Sequence, residues 1–319
     1  MYALDRERCS TIVRRARQWL FTYCRRNGIH YLVVPSSGGR DSAVTLGLTK
    51  EACELAAKHG YQLTSIGVTL PCHTPKKVTK LGQLAIRTFG AEELGPVDLS
   101  VYFDLLTECF GDAWTSKDDS LEGGIKRILR VKGDQSGLAN WRWNARVASG
   151  NIKARLRMIT AYHIAKMFGS AVVMSTDNLS EFWMAFWTIC GDVGDIGLIQ
   201  NLLKGIEVEP LAVYLGVPKQ ILAQAPDDGN GVKGGGDAAQ LGAVYPELDR
   251  IMVGLIQQGF NMDGSMRQLA KLPIVMNSDV QVVRLLATRA IKGAYKRRGP
   301  VSPTRVQLGL PSIKGLDLD

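Results

Sequence analysis

The chain has 319 residues, and 39 lysines and arginines against 30 aspartates and glutamates give it a formal net charge of +9. Hydrophobic residues make up 45% and charged residues 22%, which excludes disordered, collagen-like and coiled-coil proteins. No apolar run approaches the roughly 20 residues of a membrane-spanning helix, and the N-terminus lacks the apolar block of a secretory signal. We therefore expect a soluble cytoplasmic protein whose charge suits an anionic ligand, either nucleic acid or a charged nucleotide.

Cysteines and histidines are too scattered to build a disulfide framework or a zinc site. The two closest of the six cysteines, Cys9 and Cys24, lie 15 positions apart, and the four histidines form no HExxH motif. We expect no metal held by these residue types.

The first third of the chain alternates helical and strand patterns. Apolar spacing, caps and β-rich runs predict helices over 5–27, 41–58 and 75–89, with strands over 30–35 and 63–70. This alternation predicts an α/β fold, an open parallel sheet with helices on both faces.

The rest of the chain shows further patterns and no clear linker. Residues 111–142 form a long excursion, and 225–237 is too rich in Gly and Asp to pack. Further elements are predicted as a helix over 144–168, a strand over 171–176, helices near 239–259 and 278–296, and a basic tail. We expect a single domain over 1–319 with a helical C-terminal part from about 239.

A glycine turn, Ser37-Gly38-Gly39-Arg40-Asp41-Ser42, lies between the first strand and the next helix. Glycines let the backbone approach a polyanion, while N–H groups and the helix N-terminus supply positive potential. Asp41 can hold a Mg²⁺ ion that neutralises phosphate oxygens. The Walker lysine is missing, so this is a different phosphate turn. The alternative is an ordinary strand-to-helix turn with Asp41 as a cap.

The turn resembles the pyrophosphate loop of the N-type ATP pyrophosphatases, and further strings resemble NAD synthetases of that superfamily. The matching strings, in chain order, are NIKARLRM at 151–158, STDNLSE at 175–181, GDVG at 191–194, Leu241-Gly242 with Tyr245 and Leu248-Asp249, and YKRR at 295–298. The resemblance runs from about residue 30 to 300. The chain is thus identified as a divergent member of the ammonia-dependent NAD synthetases.

This resemblance implies a Rossmann-like fold of the adenine-nucleotide alpha hydrolase type and a reaction that forms a C–N bond. Its substrates are deamido-NAD, ATP and ammonia, and Mg²⁺ is the cofactor. The carboxylate of deamido-NAD is adenylated, and ammonia then displaces AMP. The resemblance also implies a homodimer. Free ammonia, or ammonia from a separate protein, is the expected donor, because the chain lacks room for a nitrilase-like glutaminase. We expect neither a membrane nor a nucleic acid as partner.

The resemblance also assigns roles to individual residues. ATP would be bound by Ser37, Gly38, Gly39, Asp41, Ser42, Thr176 and Lys204, Mg²⁺ by Asp41 and Glu181, and deamido-NAD by Asn151, Arg155, Asp195 and Lys296. The catalytic set would be Asp41, Arg155 and Glu181. The assignments of Asp195 and Lys204 depend on a gap after Gly194.

Plainer explanations stay open for several of these residues. Glu181 can complete a capping box with Asn178, Arg155 can be an exposed helix charge, and Lys296 can belong to a solvated basic face. The string Gly229-x-Gly231-x-x-Gly234 spells a dinucleotide fingerprint, but no strand precedes it, so we interpret it as a loop.

The sequence also departs from the family pattern. Ile189 stands where a substrate-contacting lysine is expected, Asp227 stands where an ATP-contacting threonine is expected, and the segment 237–242 lacks two acids. These changes leave two alternatives to deamido-NAD amidation: a ligase that amidates another carboxylate, and a nucleotide-binding module without turnover. The positive net charge leaves a third, a pyrophosphatase that modifies tRNA.

Overall fold

The computed structural model describes residues 4–110, 121–227, 229, 231 and 236–297. The strands are β1 (Tyr31–Pro35), β2 (Thr64–Val68), β3 (Glu92–Leu94), β4 (Ala171–Ser175) and β5 (Ile196–Gly197). The helices are α1 (Arg6–Asn27), α2 (Arg40–Lys58), α3 (Lys76–Thr88), α4 (Ser100–Phe110), α5 (Leu121–Val131), α6 (Gln135–Ala139), α7 (Trp141–Phe168), α8 (Leu179–Trp183), α9 (Glu209–Tyr214), α10 (Lys219–Leu222), α11 (Gly236–Leu241), α12 (Tyr245–Gln257) and α13 (Val280–Lys292). The predicted basic tail lies outside the described residues, as do 111–120 of the excursion and part of the 225–237 loop.

The five strands form one parallel sheet in the order β3-β2-β1-β4-β5. In the centre, Tyr31 of β1 pairs with Thr64 of β2 on one side and with Ala171 of β4 on the other. One apolar cluster packs α1 and α2 on the sheet and another packs α7 on it. The predicted fold class is therefore confirmed. Among the described residues, no helix combines the length and the apolarity needed to cross a membrane.

The ends of α1 follow from local sequence signals. The Asp5 side chain accepts a hydrogen bond from the Arg8 backbone N–H at 2.8 Å, which caps the first turn. Gly28 ends the helix with φ of 64°, the left-handed conformation that glycine adopts without strain. At α3 the sequence prediction is one residue early, because Pro75 is the cap and Lys76 the first helical residue.

The C-terminal helices form an apolar cluster of their own. The helix predicted near 239–259 is in fact two helices, α11 and α12. Gly242, with φ of 88°, leaves the helical conformation after α11, and Pro246 lies in the first turn of α12. The helix predicted near 278–296 ends at Lys292, and a 3₁₀ turn follows over Ala294–Arg297.

The described part of the excursion forms α5 and α6, and neither helix contains a buried residue. The division of the chain into domains stays a prediction.

The strand order locates a ligand crevice. From β1 the chain proceeds outward to β2 and β3, and it then crosses back to β4 on the other side of β1. Open parallel sheets bind ligands at such a switch point, beyond the carboxyl ends of the two diverging strands. The glycine turn follows β1 and Thr176 follows β4, so both predicted segments lie at this crevice.

Candidate active site

Gly38 lets the glycine turn pass in contact with α3. Its φ is 84°, and a Cβ atom there would lie 2.6 Å from the Val78 carbonyl oxygen. Gly82 of α3 is equally constrained, because its Cβ would lie 2.7 Å from the Ser36 carbonyl oxygen. The Ser36 hydroxyl donates to the Gly82 carbonyl at 3.0 Å. The turn is therefore held against α3 by close backbone contact, which only glycine permits.

Two serines shape the inside of the turn. The hydroxyl oxygens of Ser37 and Ser42 lie 3.1 Å apart, and the Ser42 hydroxyl donates to the Gly39 carbonyl at 3.1 Å. The Gly39 N–H donates to the Ser37 hydroxyl at 3.2 Å. Gly39 caps α2 and makes no side-chain cap hydrogen bond, and a helix start of this kind can bind phosphate through the N–H groups of its first turn.

Lys204 lies among three carboxylates at this crevice. Its ammonium nitrogen is 2.7 Å from Glu181 Oε1, 3.0 Å from Asp41 Oδ2 and 3.6 Å from Asp237 Oδ2. The Tyr245 hydroxyl donates to Asp237 Oδ2 at 2.9 Å and to Glu181 Oε1 at 3.2 Å. We call these five residues the Lys204 cluster. It joins the turn after β1 to α8, α11 and α12.

Burial makes the charges of this cluster interdependent. Burial raises the pKa of Glu181 to about 7 although Lys204 opposes the shift. For Lys204 burial favours loss of the proton, but the carboxylates of Asp41, Glu181 and Asp237 outweigh it and raise the pKa. With all three acids ionised, one ammonium leaves the cluster with a formal charge of −2. The cluster therefore attracts a further cation.

The donor set suits Mg²⁺. Asp41 Oδ1 is buried and has no hydrogen-bond partner in the described part of the chain, which is the state of an oxygen that a cation would complete. Mg²⁺ is usually held by one or two carboxylates together with substrate phosphates and water. Asp41 and Glu181 supply two such carboxylates. Within the described ranges, no group of three or more acids, histidines or cysteines is arranged to hold a metal ion by itself.

The capping alternative for Glu181 describes only its backbone. The Glu181 N–H donates to Asn178 Oδ1 at 3.0 Å, as an N-cap requires. Its carboxylate, in contrast, accepts from Lys204 and Tyr245. Thr176, between β4 and this cap, is half-buried.

A second group of predicted residues lies between α7 and the segment 187–192. Asn151 Oδ1 accepts from the Thr188 hydroxyl at 2.8 Å, and the exposed Arg155 donates from Nε to the Ile189 carbonyl at 3.3 Å. Asp192 accepts from the Thr188 N–H, and burial raises the pKa of this acid. The four-residue spacing of Asn151 and Arg155 therefore directs both side chains at one segment.

Lys296 also contacts that segment. Its ammonium donates to the Ala185 carbonyl at 2.6 Å and to the Trp187 carbonyl, and it lies 5.2 Å from the centre of the Trp187 ring. Burial lowers its pKa to about 8. Lys296 is therefore not part of a freely solvated basic face.

Asp195 is engaged elsewhere. Its carboxylate accepts from the Tyr162 hydroxyl and from the Val173 N–H, each at 2.9 Å. These bonds hold it at the junction of α7 and β4, and among the residues that the structure describes neither a hydrogen bond nor an ion pair joins it to the Lys204 cluster.

Sequence reasoning missed two members of the Lys204 cluster, Asp237 and Tyr245, and the buried Asp249 beside it. In the sequence, Asp237 is recognisable only as the start of a segment that lacks two acids, and Tyr245 and Asp249 only as motif letters. All three are nearly or fully buried. Their polar atoms at otherwise apolar helix positions are the signal that could have found them, since buried polar groups need partners.

Three comparisons place the chain among known proteins. The family model for NAD synthase matches residues 115–300. The NH(3)-dependent NAD(+) synthetase of Methanococcoides burtonii is 30% identical over 274 residues, 86% of this chain and 87% of that protein. Among solved structures, an NMN synthetase from Francisella tularensis has a TM-score of 0.67 at 22% identity, covering 92% of this chain and 98% of that one. An NH3-dependent NAD synthetase from Campylobacter jejuni has a TM-score of 0.62 at 18% identity, covering 94% and 100%.

The two structural likenesses establish the shared fold, and the sequence matches establish kinship. The predicted identification as a relative of ammonia-dependent NAD synthetases is confirmed, as is the expectation of an enzyme from a family of C–N ligases. This chain belongs to the NAD synthase family.

Proposed function

We propose that the chain amidates deamido-NAD with ammonia to give NAD, at the expense of ATP, which it splits into AMP and pyrophosphate. The observation that carries the proposal is the Lys204 cluster, in which Asp41 of the phosphate turn lies 3.0 Å from Lys204 and Glu181 lies 2.7 Å from it. This cluster unites an anion-binding turn with a cation-binding carboxylate pair at one crevice.

The chemistry needs such a site. A carboxylate and ammonia form only a salt in water, so the acid must first be activated. Attack of the carboxylate oxygen on the α-phosphorus of ATP breaks the bond to pyrophosphate and forms a mixed anhydride with AMP. Ammonia then attacks the carbonyl carbon, loses a proton, and displaces AMP. Positioning and electrostatic stabilisation supply the acceleration for these steps.

The residues of the crevice have complementary roles in this proposal. Asp41 and Glu181 would hold Mg²⁺, which neutralises phosphate charge during the transfer. The N–H groups of the turn, with Ser37 and Ser42, would bind phosphate oxygens. Lys204 would neutralise the leaving pyrophosphate, because its carboxylate partners keep it protonated. Thr176 would contact the nucleotide beside them.

The acceptor would lie between α7 and the segment 187–192. Asn151 can bond a polar group of the acceptor, while Arg155 and Lys296 offer positive charge to its carboxylate and phosphates. Ile189 offers no such charge, and its side chain is 39% exposed there. An NMN synthetase is among the similar folds, so the nicotinic acid form of NMN is the second acceptor to test.

The partners and location follow from the same proposal. Exposed apolar side chains are concentrated on α4, α5 and α7, including Val101, Leu105, Ile128, Val131 and Ile159. A second copy of the chain is the partner we propose for these helices, which gives a homodimer. Free ammonia, or ammonia delivered by a separate protein, would be the donor, and the cytoplasm is the expected location.

The test is a product balance. The purified chain is incubated with ATP, Mg²⁺ and ammonium, and with deamido-NAD, the nicotinic acid form of NMN, or tRNA as acceptor. Of the three acceptors, we expect only deamido-NAD to react, and to give NAD, AMP and pyrophosphate in equal amounts. Turnover only with another acceptor, or nucleotide binding without pyrophosphate release, would contradict the proposal.

A matched pair of variants links the activity to this crevice. Asp41→Asn keeps the shape of the side chain but removes its charge, so we expect it to abolish pyrophosphate release while the protein stays folded. Asp5→Asn, which changes the exposed N-cap of α1 and no member of the Lys204 cluster, should retain activity.

A further inference from the structure

Asp249 is a fully buried acid beside the Lys204 cluster but not part of it. It lies on α12 with 0% of its surface exposed. One carboxylate oxygen accepts from the Gly205 N–H at 2.8 Å, and the other accepts from the Ser180 hydroxyl. Asp249 therefore cannot reach a substrate, and its partners are a serine and the backbone.

These bonds continue into the backbone of Lys204. The Lys204 N–H donates to the Ser180 hydroxyl oxygen at 2.9 Å, and the Leu203 N–H donates to Glu207 Oε2 at 2.7 Å. Side chains thus satisfy successive N–H groups at the start of the π-helical turn Lys204–Val208. Such a helix start is otherwise left with unpaired donors.

Gly205 fixes how closely this turn approaches α12. A Cβ atom there would lie 2.4 Å from the backbone nitrogen of Pro246. No other residue fits without moving the chain, so the turn carrying Lys204 lies directly against the first turn of α12. The same helix carries Tyr245 and Asp249.

Asp249 consequently fixes the positions of Glu181 and Lys204 through the residues next to them in the chain. Ser180 precedes Glu181, and Gly205 follows Lys204. Both neighbours bond to the single Asp249 carboxylate, while Lys204 and Glu181 themselves meet at 2.7 Å. A change in the Asp249 bonds therefore alters the relative position of the ammonium and the carboxylate.

We infer that Asp249 is a positioning residue for Lys204 and Glu181, acting through Ser180 and the Gly205 backbone. This inference rests on the proposed function, since it assigns these two residues to nucleotide and cation binding. Burial raises the pKa of Asp249 to about 6, so at an assay pH of about 8 the group is ionised and accepts all of its hydrogen bonds.

The test is Asp249→Asn. The variant keeps the side-chain shape, but its NH₂ group cannot accept a hydrogen bond. If the amide oxygen keeps the bond from the Gly205 N–H, the Ser180 hydroxyl loses its acceptor and must turn away from its present orientation. We expect kcat for AMP formation and the affinity for MgATP to fall roughly 10- to 100-fold, the usual effect of losing a residue that orients a ligand-binding group. KM for the acceptor should change less than about twofold.

Thr49→Ala is the matched control. It removes another buried hydrogen bond, between the Thr49 and Ser65 hydroxyls at 3.1 Å, from the middle of α2. We expect it to lower the melting temperature comparably but to leave kcat and nucleotide affinity within about twofold. If Asp249→Asn does not fold, Ser180→Ala must show the same loss of kcat and nucleotide affinity, because it breaks the same connection.

Two results would overturn the inference. One is a kcat and a nucleotide affinity equal to those of the wild type in Asp249→Asn or Ser180→Ala, measured below the melting temperature of the variant. The other is a loss of activity in Thr49→Ala that parallels its loss of stability. Failure of the proposed function differs from failure of this inference, because in that case the wild-type chain itself makes no NAD. The affinity of the wild type for MgATP can then still be compared with that of the variants.

Discussion

Replacing Lys204 by methionine tests the electrostatics of the cluster. The variant keeps the apolar stem but leaves Asp41, Glu181 and Asp237 without their ammonium partner. The side chains of Lys204 and Glu181 are only 9% and 15% exposed, so water replaces little of the lost attraction. Removing one partner of a buried ion pair costs about 3–5 kcal/mol, a large share of the roughly 5–15 kcal/mol that stabilises a domain.

The pH dependence of this loss has a definite sign. Burial raises the pKa of Glu181 to about 7 even while Lys204 lowers it, and without Lys204 it rises further. The folded variant then binds more protons than the unfolded chain, so its free energy of unfolding increases as pH falls. This added stability is lost as pH rises through the pKa of Glu181 in the folded state. We expect the deficit against wild type to be larger at about pH 8 than at about pH 6.

Divalent cations should offset part of the deficit. If Mg²⁺ binds the unpaired carboxylates of Asp41 and Glu181 with a Kd of about 1 mM, about 10 mM Mg²⁺ restores about 1.4 kcal/mol. Urea unfolding, with and without Mg²⁺, measures both effects. Lys50→Met is the control, because the Lys50–Glu54 pair is exposed and 3.8 Å long and is worth about 0–1 kcal/mol. A Lys204→Met variant as stable as this control, or insensitive to Mg²⁺, would refute the reasoning.

Three further changes probe the turn and the acceptor side. In Gly38→Ala the alanine must adopt a φ of 84° and place its Cβ 2.6 Å from the Val78 carbonyl oxygen. We therefore expect a loss of about 2 kcal/mol or more in stability and, by calorimetry, weaker MgATP binding. An unchanged affinity for MgATP would contradict the assigned phosphate turn. Burial lowers the pKa of Lys296 to about 8, so kcat/KM for the acceptor should fall as pH rises through about 8 and Lys296 loses its charge. In Lys296→Arg, kcat/KM should stay constant over that range because arginine keeps its charge. Parallel pH profiles of the two proteins would exclude Lys296 from acceptor binding. Ile189→Lys adds a charge at a partly exposed position and should lower the acceptor KM about two- to fivefold; a higher KM in steady-state assays would mean that Ile189 does not face the acceptor.

Elements that depend on local signals were predictable from the sequence. The cap at Asp5 and the left-handed Gly28 define α1 by themselves, and the glycine turn is readable because Gly38 must adopt a conformation that other residues avoid. Short or exposed elements were not predictable. β3 has three residues, all exposed, and β5 has two, so neither has a hydrophobic period, and only pairing with neighbouring strands defines them.

The site was predictable in part for the same reason. Asp41, Glu181 and Lys204 carry motif positions, and the structure brings them together. Asp237 joins them only because α11 packs against the crevice after a loop, a long-range contact that no local pattern encodes. Asp195, like Lys204, matches a motif position only through a gap, but its bonds to Tyr162 and Val173 depend on how α7 lies on β4.

The most direct test of the central claim follows the oxygen atoms of the acceptor. Deamido-NAD labelled with ¹⁸O in its nicotinate carboxylate is converted with ATP, Mg²⁺ and ammonium, and the products are analysed by mass spectrometry. If the carboxylate attacks the α-phosphorus of a nucleotide held by the turn after β1, one labelled oxygen appears in each AMP formed. Label in orthophosphate, together with ADP, would mean that the terminal phosphate is attacked instead, and the account would be wrong.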